Sequence, residues 1–198
     1  MAYNVEVKEQ FSKAPQGQFQ AVCCELLDLG YNTRTYKNKD TGGEDTVQNH
    51  EVQYVFQLNK IDDETGKRFE IRSAPLNLVL SPKANLRKFL TSWRGHDLLP
   101  DELKPPGVDI DLTGRNAIIS VVHNESGGKT YANIGSIMPL MDGMPEIRAL
   151  DYQSKQSFVD QANNQANGAA ASANPNSQGP PLVPAGLGEQ LPKDDIPF

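Results

Sequence analysis

The stretch SPKANLRKFLTSWRG, residues 81–95, decides how the rest of the chain is read. Its residue order predicts one short helix with both ends marked. Ser81 can cap the free amides, Pro82 suits the first helical position, and Gly95 supplies a left-handed exit. Leu86, Phe89, Leu90 and Trp93 recur at helical spacing and make one apolar stripe that must dock on a core. Lys83, Arg87, Lys88 and Arg94 lie off that stripe with no acid among them, so the other side is expected to carry only positive charge.

Upstream, Val52, Tyr54, Phe56 and Leu58 alternate with Gln53, Gln57 and Asn59, the period-two pattern of a half-buried strand. Tyr54 and Phe56 are therefore core residues, as Trp93 is on the helix. Residues 19–29, FQAVCCELLDL, favour another strand, and the adjacent Leu26 and Leu27 break strict alternation and predict a bulge or bend. Residues 30–49, between these strands, are polar and turn-rich and read as a long mobile loop. Residues 61–67 read as a hairpin connection, and a third strand over residues 69–80 must be interrupted, or placed at an edge, by Pro75. Beyond the helix, residues 96–115 are broken by Pro100, Pro105 and Pro106, after which residues 117–123 and 130–138 form a last hairpin.

Three strands, one helix and two strands is the layout of the oligonucleotide-binding (OB) barrel, with the helix plugging the open end. The expected fold is mainly β: a five-stranded OB-fold barrel with one helix between strands three and four, followed by a disordered C-terminal tail. Residues 1–17 read as a flexible leader, 18–150 as the folded domain, 151–192 as a disordered linker rich in Gln, Asn, Ala, Gly, Ser and Pro, and 193–198 as an acidic and hydrophobic tip. A net charge of -6 argues against coating nucleic acid by bulk charge, so such binding needs a local basic surface. Adjacent Cys23 and Cys24 suit neither a disulfide nor a metal site and favour a reducing compartment. With no leader peptide and no long apolar run, the expected location is the cytoplasm, away from membranes.

A single-strand binder needs cations along the backbone and flat rings for base stacking. Residues 31–39 interleave Tyr31 and Tyr36 with Arg34, Lys37 and Lys39, and in OB folds the loop between strands one and two borders the ligand groove. Lys129 and Tyr131 in the last hairpin offer a second such pairing, and Arg72 alternates away from Phe69 and Ile71 toward the groove side. At the other end, Asp194, Asp195, Ile196, Pro197 and the α-carboxylate of Phe198 make a short peptide of the kind a basic-rimmed apolar pocket captures.

Two resemblances bear on these readings. Leu27-Asp28-Leu29-Gly30, the run from Leu80 through Ser92-Trp93-Arg94-Gly95, and Val122-His123-Asn124 followed by Gly128-Lys129-Thr130-Tyr131-Ala132-Asn133-Ile134 look like a family of small phage-encoded OB-fold proteins that bind single-stranded DNA. The final Asp-Asp-Ile-Pro-Phe resembles the terminus of bacterial single-stranded DNA-binding proteins, with Lys193 in place of that motif's first acid. The resemblances imply a cytoplasmic protein of the infected bacterium that protects single strands in phage DNA replication or recombination. They also imply that its tip recruits replication, repair and recombination proteins.

Enzymatic readings find no support in the residues. Gly127-Gly128-Lys129-Thr130 imitates the end of a phosphate-binding loop, but the required first glycine would fall at His123 and a hairpin surrounds it. His50, His96 and His123 have no carboxylate or cysteine at ligand spacing, and Asp109 and Asp111 have no partner histidine, so neither catalytic residues nor metal or cofactor are expected. The alternative function is an adaptor, or an accessory subunit of a recombination nuclease, that touches DNA only incidentally. Self-association and the choice between DNA and RNA stay open.

Overall fold

The computed structural model describes residues 13–37 and 42–172. Six strands and two helices follow in the order β1 (Gly17–Lys37), β2 (Glu44–Ile61), β3 (Arg68–Arg72), β4 (Leu76–Asn77), α1 (Asn85–Arg94), β5 (Asn116–Ser126), β6 (Lys129–Pro139) and α2 (Gln156–Ser172). The strands form one antiparallel sheet ordered β3-β2-β1-β5-β6, with β4 also pairing β2. No ladder joins β3 to β6 among the described residues, so the sheet is open, although the two strands approach within 8 Å at their Cα atoms.

The first strand serves both halves of the sheet. Gly17 to Val22 pair with Val121 to Asn116 of β5, while Ala21 onward pairs with β2, from Leu58 to Glu44. Two irregularities, between Cys23 and Glu25 and between Asp28 and Gly30, interrupt that second ladder. The irregularity anticipated from Leu26-Leu27 occurs on either side of that pair, not within it, and ordinary alternation puts the two leucines on opposite faces. Leu26 pairs with Tyr54 on the core side and Leu27 with Gln53 on the other, and Leu27 is fully buried all the same.

The core lies on one face of the sheet. Ala21, Cys23, Tyr54, Phe56, Ala117 and Ile119 meet Leu86, Leu90 and Trp93 of α1 there. Trp93 packs edge-on against Tyr54 and Phe56, at 5.5 and 5.1 Å between ring centroids, and its indole N–H donates to Asn116 O at 3.0 Å. Rings at the centre of such a cluster add edge-to-face attraction to the area they bury. α1 lies across the gap between β4 and β6, where Leu76, Phe89, Ile134 and Ile137 line a shallow cleft.

Several sequence expectations are corrected. The helix starts at Asn85, not at Ser81: Ser81 and Pro82 lie in a turn closed by Ala84 N–H to Ser81 O, and Ala84 stays extended with ψ 140°. Its end is as expected, with Gly95 in the left-handed conformation at φ 79°. The positive side of α1 is neutralised in part from the following loop, where Arg87 pairs with Asp97 and Arg94 with Glu102. Residues 30–37 and 44–49 are strand rather than loop. They continue β1 and β2 as one long hairpin, because Thr33, Thr35, Thr46 and Val47 favour extended backbone and Lys37 stands opposite Glu44. The leader is not loose to its end, since Ala14 is buried in the core and its carbonyl meets His123 Nε2 at 2.8 Å.

The stretch expected as a linker from residue 151 is also structured as far as residue 172, on polar grounds. Side-chain hydrogen bonds hold residues 145–156 on the sheet, and α2, rich in the helix-favouring Ala and Gln, packs along β1. No helix among the described residues is long and apolar enough to cross a membrane.

Candidate nucleic-acid interface

Alternation on the strands assigns each candidate residue to a face. On β2 the core side takes Val52, Tyr54, Phe56 and Leu58, so Glu51, Gln53, Val55 and Gln57 face outward. Residues directly opposite in an antiparallel ladder share a face. Arg72, paired with Val55, therefore stands on the outer face, exposed and without an acid partner among the described residues. Tyr131, paired with Asn124, and Lys129, paired with Ser126, continue that outer face at the β5–β6 turn, both exposed. Gly127 and Gly128, at φ 57° and 72°, make this a tight two-residue turn.

On the β1–β2 arm the interleaved rings and cations are split by the pleat. Asn32 and Arg34 are on the outer face with Glu51, whereas Tyr31 and Lys37 are on the other. Arg34 forms an ion pair with Glu51, whose side chain is only 3% exposed, and Asn32 donates to the same carboxylate at 3.0 Å. Arg34 thus neutralises a buried charge while its outer half stays in water, 49% exposed.

On the opposite face, Tyr31 is 67% exposed and stacks on His50 at 4.7 Å between centroids. His50 Nε2 lies 2.7 Å from Asp28 Oδ1, and the other role of that oxygen is to accept from Gly30 N–H at 2.8 Å. Burial would raise the Asp28 pKa, but the Gly30 amide and His50 outweigh it and hold the carboxyl below its usual range. Sequence reading weighed His50 only as a metal ligand; its place opposite Tyr31 follows once residues 44–50 are recognised as a strand paired with β1.

The candidates do not form one cluster. Tyr31, Arg34 and Lys37 are on the arm at the far end of β1, Arg72 is level with Glu25, and Lys129 and Tyr131 are on the β5–β6 hairpin, which extends past Gly17 at the other end. Tyr36 stands opposite Asp45 in the ladder. Lys39 and the tip Asp194, Asp195, Ile196, Pro197 and Phe198 lie outside the described residues.

Between these outer-face candidates runs a feature that sequence reading missed. Residues 145–156 cross the sheet as an extended strap without backbone ladders. Gln20 donates to Pro145 O at 2.7 Å, and Asn116 holds both the N–H and the C=O of Ile147 at 3.0 Å. Gln57, 3% exposed, holds both groups of Leu150 at 2.8 and 3.0 Å, and Arg68 donates to Arg148 O at 2.7 Å. The strap ends on Glu25, whose carboxylate accepts from the Tyr152 hydroxyl at 2.6 Å, from Lys155 N–H at 2.9 Å and from the Ser154 hydroxyl. Burial pushes the Glu25 pKa up, but these donors prevail and lower it. Lys155 also pairs with Glu70, and Gln156 holds the backbone of Asp28.

Compared with known proteins, the chain matches no family model and no curated protein.

Proposed function

We propose that this chain is a non-enzymatic single-stranded DNA-binding protein that protects exposed strands during phage replication or recombination in the cytoplasm of a bacterial host. In this reading the sheet is an OB barrel closed on itself by the approach of β3 to β6, with α1 across the gap. Its C-terminal tip is the site that recruits replication, repair and recombination proteins. The approach of those two edges, the sharing of β1 between two ladders and the aromatic docking of α1 support the barrel reading.

One observation carries the functional reading. The strand register places Arg72, Lys129 and Tyr131, together with the water-facing half of Arg34, on the outer face of one sheet. On a chain of net charge -6, cations and a ring displayed along one face, from the arm past Arg72 to the β5–β6 hairpin, support backbone contact and base stacking along an extended strand.

Anisotropy titration of labelled oligo(dT) and of a duplex, repeated across salt, tests it. The expected result is preferential single-strand binding that weakens with salt, with Lys129→Ala reducing the salt slope by about one contact. Tyr131→Ala should cost about 1–3 kcal/mol of affinity at every salt. Absence of single-strand binding at low salt overturns the reading and favours a protein-binding adaptor.

A further inference from the structure

The outer sheet face already has an occupant. The strap crosses β5 at Asn116, β1 at Gln20, β2 at Gln57 and β3 at Arg68. Arg72 lies two residues along β3 from Glu70, which holds Lys155 at the end of the strap. A nucleic-acid strand laid from Arg72 onto Val55 and Gln57 would therefore meet residues 150–155.

The strap is attached in a manner suited to release. It is fixed by hydrogen bonds from sheet side chains to its own backbone and by Tyr152, Ser154 and Lys155 on Glu25 and Glu70; Leu150 remains 48% exposed, and the apolar groups beneath, Val22, Val55 and Ile118, belong to the sheet. Segments with few buried apolar groups open at a small fraction of the global unfolding cost. The groups it covers are also suited to a second use. Gln57 and Asn116 each grip a paired donor and acceptor on one residue, and a side-chain amide makes the same two-point contact with the edge of a base.

We infer that residues 145–155 are a built-in competitor for single-stranded DNA: the strand binds the face the strap covers, and the strap lifts to admit it. This rests on the proposed single-strand function. Apparent affinity is then reduced by the fraction of molecules with the strap seated.

Hydrogen exchange on the full chain, with and without saturating oligo(dT), reads the strap directly at the amides of Ile147 and Leu150. The inference expects their protection to fall in the complex. Unchanged protection with oligo(dT) bound overturns it.

The second arm is the double variant Tyr152→Phe, Ser154→Ala, which removes two donors to Glu25 and leaves the core and the outer cations untouched. It should bind oligo(dT) about tenfold more tightly than the native chain, the scale of roughly one net hydrogen bond to a charged group. Equal affinity overturns the inference while leaving the single-strand function standing. If neither protein binds oligo(dT), the functional reading itself falls.

Discussion

Replacing Arg34 by alanine separates its structural duty from any contact with DNA. The Glu51 carboxylate is 3% exposed and has two side-chain partners, the Arg34 guanidinium and the Asn32 amide. Removing one partner of a fully buried ion pair costs about 3–5 kcal/mol, because the remaining charge is left uncompensated. Here Arg34 is half in water, so solvent can follow the truncation to the carboxylate, and Asn32 still donates. A loss of about 2 kcal/mol is expected, which for a chain of this size lowers Tm by about 4–8 °C. The companion Glu51→Gln removes the buried charge, so the double variant should regain more than half of the loss. Urea titrations followed through Trp93, the chain's one tryptophan and 3% exposed, report on the core. Arg34→Ala at native stability, or a double variant no better than the single, refutes the electrostatic argument. An affinity defect for oligo(dT) that persists in the stability-restored double variant is then attributable to a lost contact at Arg34.

Two further outcomes test the fold. Gly95→Ala combines a positive φ of 79° with a Cβ that would sit 3.1 Å from Pro139 Cγ, and is expected to cost about 1–2 kcal/mol in denaturant titrations; native stability would show that the α1 exit is not fixed by this contact. Burial first, with smaller electrostatic contributions, raises the Cys23 pKa to about 12 and that of Cys24 to about 11, so native protein should resist iodoacetamide from pH 7 to 9 while urea-unfolded protein reacts fully; rapid native labelling would contradict their burial.

What was legible in the sequence was whatever a single face controls. The alternation of Val52 to Leu58 and the stripe of Leu86, Leu90 and Trp93 belong to residues whose partners are all on one side, and both were placed correctly. The arm was missed because both of its faces are polar, so no period shows. The signal that remained was charge, with cations up to Lys37 on one strand and acids from Glu44 on the strand it pairs with. The strap was missed because a sequence does not say which amides point at backbone. It did leave a trace: Val22, Val55 and Ile118 are apolar and buried on the face turned from the core, a pattern a one-sided sheet has no need of. The neutralisation of α1 was hidden because Asp97 and Glu102 follow the helix and return to it only in three dimensions.

The two irregularities in β1 act together as a phase correction. Each adds one unpaired residue, so the core side passes from Ala21 and Cys23 to Leu26 and then to Tyr31 and Thr33. Two such steps cancel, so Tyr31 stands on the same side as Ala21 and Cys23, and only residues 25–28 are switched relative to unbroken alternation. Substitutions in the arm change what is displayed there, whereas the two irregularities decide which residues of the segment between them meet the helix side and which meet the strap: Leu26 goes to the core and Glu25 to the anchor of Tyr152 and Ser154.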